Sequence, residues 1–98
     1  MIKVCASSVK ITAASTDVTT TNSLLVGAVL YCGSNASSIT FENGDGGTEL
    51  AFIGDGGTTA GKQKFLEFPK PVVFGSGIHV DLAGTAAYCY IFYEQMTA

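Results

Sequence analysis

Gly77-Ile78-His79-Val80-Asp81-Leu82-Ala83-Gly84, followed by Thr85-Ala86-Ala87-Tyr88-Cys89-Tyr90-Ile91-Phe92-Tyr93, decides how this chain folds. In the first segment Ile78, Val80 and Leu82 recur at every second position with His79 and Asp81 between them, the period of a strand with one buried face and one solvated face. In the second, one face carries Ala87, Cys89, Ile91 and Tyr93 and the other Tyr88, Tyr90 and Phe92, so both faces are apolar. A glycine closes the first segment and Gly84-Thr85 supplies the turn to the second.

The pattern repeats upstream. Val9 to Thr12 alternates, and Ile2 to Cys5 does so before it, as one bulged strand or two short ones. Ala13 to Asn22 is polar and threonine-rich and reads as a loop or an extended arm. Leu24 to Cys32 is apolar on both faces, as expected of a central strand covered from both sides, or of one covered on one side by its own sheet partner and on the other by a neighbouring chain. Ser38 to Glu42 alternates up to a glycine-rich turn, Glu49 to Ile53 follows, and a second such turn leads to a strand over Gln63 to Phe68. Pro69 ends that strand, and Pro71 opens another over Val72 to Phe74. No window shows the three-four spacing of an amphipathic helix. The expectation is an all-β chain of seven to eight short strands. Its architecture is a single antiparallel β-sandwich domain over residues 1–98, jelly-roll or immunoglobulin-like.

Composition limits function. Of 98 residues, 47% are hydrophobic and only 13% charged, about half the charged share of an ordinary soluble domain, so disorder is ruled out. The chain has no arginine, and its net charge is −3, which leaves no basic stripe for phosphates and argues against nucleic acid as a partner. The longest apolar run, Leu24 to Cys32, is far shorter than the roughly 18 to 20 residues that cross a bilayer, so no membrane partner is expected. The N-terminus turns polar too soon for a secretion signal, and synthesis and use in the cytoplasm are expected. Cys5, Cys32 and Cys89 lie far apart within apolar runs, which reads as buried thiols; a Cys3His zinc site with His79 lacks the close cysteine spacing it would need.

Other candidate sites fare no better. Gly-Asp-Gly-Gly occurs at Gly44 to Gly47 and again at Gly54 to Gly57. Asp45, Glu49 and Asp55 could offer oxygens to calcium, but no calcium-loop spacing is present, and turn chemistry explains both strings. His79 and Asp81, with Ser76 nearby, form a pair on one strand face with no nucleophile elbow or oxyanion feature, so neither an enzyme nor a cofactor is expected. The remaining feature is the aromatic run. Tyr88, Tyr90 and Phe92 could be core, a platform for sugar rings or a subunit interface. With so little charge in the chain, the interface reading leads, with Leu25 and Val29 as weaker members.

The stretch from Lys70 to Glu94 and the glycine-rich hairpins before it resemble small β-sandwich virion proteins of tailed bacteriophages, particularly capsid decoration or cement proteins. The likeness rests on Phe74 before the Gly75-Ser76-Gly77-Ile78 turn, the alternating strand, the Gly84-Thr85 turn and the tyrosine-rich final strand. It covers about Leu24 to Glu94. It implies a homo-oligomer on the capsid surface of a virion, made in the host cytoplasm, that clamps the major capsid protein. The expectation from another class is a carbohydrate- or surface-binding module of a tail or fibre.

Overall fold

The alternating segments pair into two antiparallel sheets of four strands each. The computed structural model describes residues 7–57 and 60–96. Its strands are β1 (Ser7–Ile11), β2 (Ser15–Asp17), β3 (Ser23–Tyr31), β4 (Ser37–Asn43), β5 (Glu49–Asp55), β6 (Gln63–Phe74), β7 (Ile78–Ala83) and β8 (Tyr88–Gln95). Sheet A has the order β1-β8-β3-β6 and sheet B the order β2-β7-β4-β5. Four pairings, β1 with β8, β2 with β7, β3 with β6 and β4 with β5, are those of one long hairpin folded at the β4–β5 turn, and rolling it up adds β3 with β8 and β4 with β7. This is jelly-roll topology, which decides between the two sandwiches expected from the sequence. Of the consecutive strands, only β4 and β5 are neighbours in a sheet. β7 and β8, adjacent in sequence, therefore lie in opposite sheets.

Inward-facing residues of the two sheets fill the core. Sheet A contributes Ile11, Leu25, Ala28, Leu30, Phe74, Cys89 and Ile91, and sheet B contributes Ile39, Phe41, Ile53, Ile78, Val80 and Leu82. At roughly 25 cal/mol per Å² of apolar surface, each large side chain buried here adds about 1.5–3 kcal/mol. β3 and β8 are the two central strands of sheet A, which accounts for their lack of a polar face: one side lines the core, and the other is shielded by neighbouring strands or carries the tyrosines.

Two expectations are corrected. Pro69 and Pro71 do not separate two strands, since β6 runs through both. The ladder to β3 jumps from Leu25↔Val72 to Gly27↔Glu67, so both prolines fall where β6 has no partner on β3, and β6 is an edge strand whose other side needs no donors. The bulge opposite this interruption depends on Gly27, because a Cβ there would lie 2.7 Å from the Leu66 carbonyl oxygen.

The threonine-rich segment is not a free arm. It contains β2, and its backbone is bonded to β7 on both sides of that strand: Leu82 N–H donates to Ala14 O at 2.9 Å and Val18 N–H to Ile78 O at 2.8 Å. Thr19, buried, accepts hydrogen bonds at Oγ1 from the Ser23 hydroxyl (2.7 Å) and from Ile78 N–H (3.0 Å). Hydroxyls that could have bonded water instead satisfy backbone at the sandwich edge. The strand expected over Ile2 to Cys5 lies outside the described residues.

Candidate functional site

Strand register places the aromatic run on the outer face of sheet A. Tyr90 stands opposite Lys10 of β1 and Val29 of β3, and Val29 stands opposite Phe65 of β6. One row across the sheet is thus Lys10, Tyr90, Val29 and Phe65. In the next row Tyr88 faces Tyr31, with rings stacked at 4.6 Å and 8° between planes. Tyr90 meets both edge-on, at 6.0 Å from Tyr31 and 6.3 Å from Tyr88. On the other side of Tyr90, Phe92 lies opposite Gly27, and Leu24 opposite Val73. Lys10 Nζ sits 4.7 Å from the Tyr88 ring centroid, a cation–π contact.

The five residues expected at an interface do not share one environment. Tyr88, Tyr90 and Phe92 are half-buried on this outer face. Val29 also faces outward but is roofed over by its neighbours and only 5% exposed. Leu25 has no exposed surface and belongs to the core, because the bulge turns it inward, so it has nothing to present to a partner. The face also gains members the sequence reading missed. Tyr31 joins the tyrosine cluster, and Phe65 and Val73 are 66% and 55% exposed. Phe65 had a legible signal, since it alternates on the polar side of its strand with Gln63 and Glu67. Tyr31 and Val73 had none, because only the register brings them to β8 and β3.

As a sugar platform this face is poorly disposed. Tyr88, the ring best placed to stack, is already packed by Tyr31 from β3 and by Lys10 from β1, the strands on either side of it.

A second cluster lies on the outer face of sheet B. Asp17, His79, Glu42 and Glu49 follow one another across β2, β7, β4 and β5 in one register row. His79 Nδ1 is 2.7 Å from Asp17 Oδ1, and Nε2 is 2.9 Å from Ser15 Oγ. Two further carboxylates approach Nε2: Asp81 at 3.3 Å and, from the β4–β5 turn, Asp45 at 3.6 Å. The sequence reading took His79 for part of a solvated strand face, yet it is only 3% exposed, because these side chains close over it. Burial alone would lower its pKa; the Asp17 hydrogen bond and the Asp45 and Asp81 carboxylates outweigh that and raise it above the ordinary histidine value. The Glu42 carboxyl is also raised, chiefly by its hydrogen bond with Asp81.

Ser15, His79 and Asp17 are connected in the order of a hydrolase triad, and the serine is Ser15 rather than Ser76, whose backbone N–H is bonded by Asn43 Oδ1. The surroundings oppose that chemistry. Asp81 and Asp45 put negative charge beside Nε2, where an acyl-transfer intermediate would develop its own. Glu42, His79 and Asp81 also bring donor atoms within 4.8 Å of one another, but both imidazole nitrogens are already engaged by Asp17 and Ser15, so no ring lone pair is free for a metal.

The other proposed ligand sets are not brought together. Cys32 and Cys89 are buried free thiols of sheet A, remote from the outward-facing His79, and burial pushes the Cys89 thiol up to about 12. Cys5 lies outside the described residues. Asp45 belongs to the His79 cluster. Asp55 instead accepts from Gly57 N–H at 2.7 Å and pairs with Lys62 at 3.0 Å, organising the second glycine-rich turn. In the first such turn Gly44 and Gly46 have φ of 82° and 76°, and Gly47 N–H donates to Gly44 O, which is the turn chemistry expected of that string. An open depression of about 540 Å³ at the far end of sheet B is lined by Ser38, Phe52, Gly54, Asp55 and Ala83 among others.

Comparison of the chain with family models, curated proteins and solved structures finds no match.

Proposed function

We propose that this chain is a virion structural protein of the capsid decoration, or cement, type, which binds the major capsid protein and further copies of itself through the outer face of sheet A. One observation carries the reading: a jelly roll whose core is already filled carries further apolar side chains on the outer face of sheet A, a ring-packed cluster of Tyr31, Tyr88 and Tyr90 with Phe92, Phe65 and Val73 on the same face. Tyrosine and phenylalanine are enriched in interfaces, and burying this surface requires another molecule. Four strands about 4.8 Å apart and about eight residues long make a face on the order of 500 Å². A standard interface contributes about 800 Å² per partner, so one such contact is weak. A shell that repeats it many times gains avidity without any catalytic group.

The test is association. Sedimentation equilibrium of the purified chain is expected to show reversible, concentration-dependent self-association, and the chain is expected to co-purify with intact phage particles. A protein that stays monomeric at millimolar concentration and is absent from particles refutes the proposal.

A further inference from the structure

We propose that His79 is a proton-operated latch: as the imidazolium it ties the short edge strand β2 to sheet B, and its deprotonation releases residues 14–18 from β7. The inference rests on the hydrogen-bond geometry of sheet B and holds whatever partner covers sheet A. β2 is the shortest strand of the sandwich, three residues long and, among the described residues, paired with β7 alone. Two of those residues, Ser15 and Asp17, place their side chains on the two nitrogens of His79.

A neutral imidazole carries one N–H. If it sits on Nδ1 and is given to Asp17, Nε2 accepts from the Ser15 hydroxyl at 2.9 Å, but its lone pair also lies beside the Asp81 and Asp45 oxygens at 3.3 and 3.6 Å, which repel it. If it sits on Nε2, the Nδ1 lone pair faces Asp17 Oδ1 at 2.7 Å. The Ser15 bond therefore keeps a neutral ring tied to β2, and it is the carboxylates that favour the cation: only the imidazolium turns N–H and positive charge toward Asp17, Asp81 and Asp45 together. The charged groups around it are all acidic: Asp17 from β2, Asp81 from β7, Glu42 from β4, Asp45 from the β4–β5 turn and, beyond Glu42, Glu49 from β5. Among the described residues no lysine makes an ion pair within this group. Loss of the proton therefore leaves the carboxylates repelling one another, and β2 is the element with least to hold it in place.

The sign follows from linkage. A histidine whose pKa is higher in the closed form than in the open one stabilises closure fully below the open-form pKa, and this stabilisation is lost as the pH rises through the closed-form pKa. The reporters are the amides of Val18 and Leu82, which bond across the β2–β7 boundary. Their hydrogen-exchange protection, corrected for intrinsic rates, is expected to be full below the ordinary histidine pKa of about 6.5 and to fall as the pH rises above it, by roughly tenfold for each unit by which closure raises the imidazole pKa. The Ile91 amide, in the middle of sheet A, is freed only by global unfolding and keeps a higher protection at every pH, although the same linkage lowers it too. Asp17→Asn keeps an acceptor at Nδ1 without the charge, and it is expected to move both the His79 titration, followed by NMR, and the loss of protection to lower pH. His79→Gln is expected to make the protection of both reporters independent of pH. Protection that stays flat while His79 titrates, or that equals that of Ile91 so that β2 opens only with the whole domain, overturns the latch. So does a midpoint that Asp17→Asn leaves in place, or a transition that a chelator abolishes, which would assign the cluster to a metal ion instead.

Discussion

Replacing Tyr90 with aspartate separates the outer face of sheet A from the fold beneath it. Tyr90 makes two edge-on ring contacts, at 6.0 Å with Tyr31 and 6.3 Å with Tyr88, and it covers Val29 across the β3–β8 ladder. Each aromatic pair contributes about 0.5–1.5 kcal/mol beyond area burial, so losing both removes about 1–3 kcal/mol. The new carboxylate stands opposite Lys10 on β1, and a cross-strand charge pair returns about 0.2–1 kcal/mol. The isolated domain should therefore lose about 1.5 kcal/mol, measured as a shift of the urea midpoint at constant slope, and remain folded. Against a partner the same carboxylate is an unpaired buried charge costing about 3–5 kcal/mol, which weakens each contact by more than about a hundredfold. Sedimentation equilibrium is expected to show only monomer for Tyr90→Asp. The control Phe52→Asp, on the exposed outer side of sheet B, should associate as the natural chain does. If Tyr90→Asp self-associates normally, or if it destabilises the monomer by more than about 4 kcal/mol, the tyrosine cluster is part of the fold and not a docking surface.

Other consequences are local. Gly27→Ala forces a methyl group against the Leu66 carbonyl, so the bulge must shift; a loss of about 1–3 kcal/mol is expected in denaturant titration. Cys89, fully buried and with its thiol pushed up to about 12, should react with a thiol reagent only as fast as the chain unfolds, so its labelling rate should follow denaturant concentration. Ser15, although hydrogen-bonded to His79, should form no adduct with a fluorophosphonate probe by mass spectrometry, since the carboxylates around Nε2 oppose the developing negative charge; stoichiometric labelling that His79→Gln abolishes would restore the triad reading.

The sequence by itself determined the class of fold and the division into faces of the strands without a bulge. Alternation in Ile78 to Leu82 and in Tyr88 to Tyr93 depends only on the two-residue period of an extended backbone, which every local segment obeys. The glycine-rich turns were legible for the same reason, as positive φ is a property of single residues. Which strands become neighbours is a property of the closed chain, and the roll of the long hairpin decided it. That roll turned Leu25 inward at a bulge, carried β6 through two prolines, and set Tyr31 against Tyr88 and Val29 beneath Phe65. It also gathered Asp17, Glu42 and Asp45, from segments far apart in sequence, around the His79 and Asp81 pair of β7. Charges and rings separated by dozens of residues become neighbours only when strands pair, so no reading confined to one strand at a time could have found either cluster.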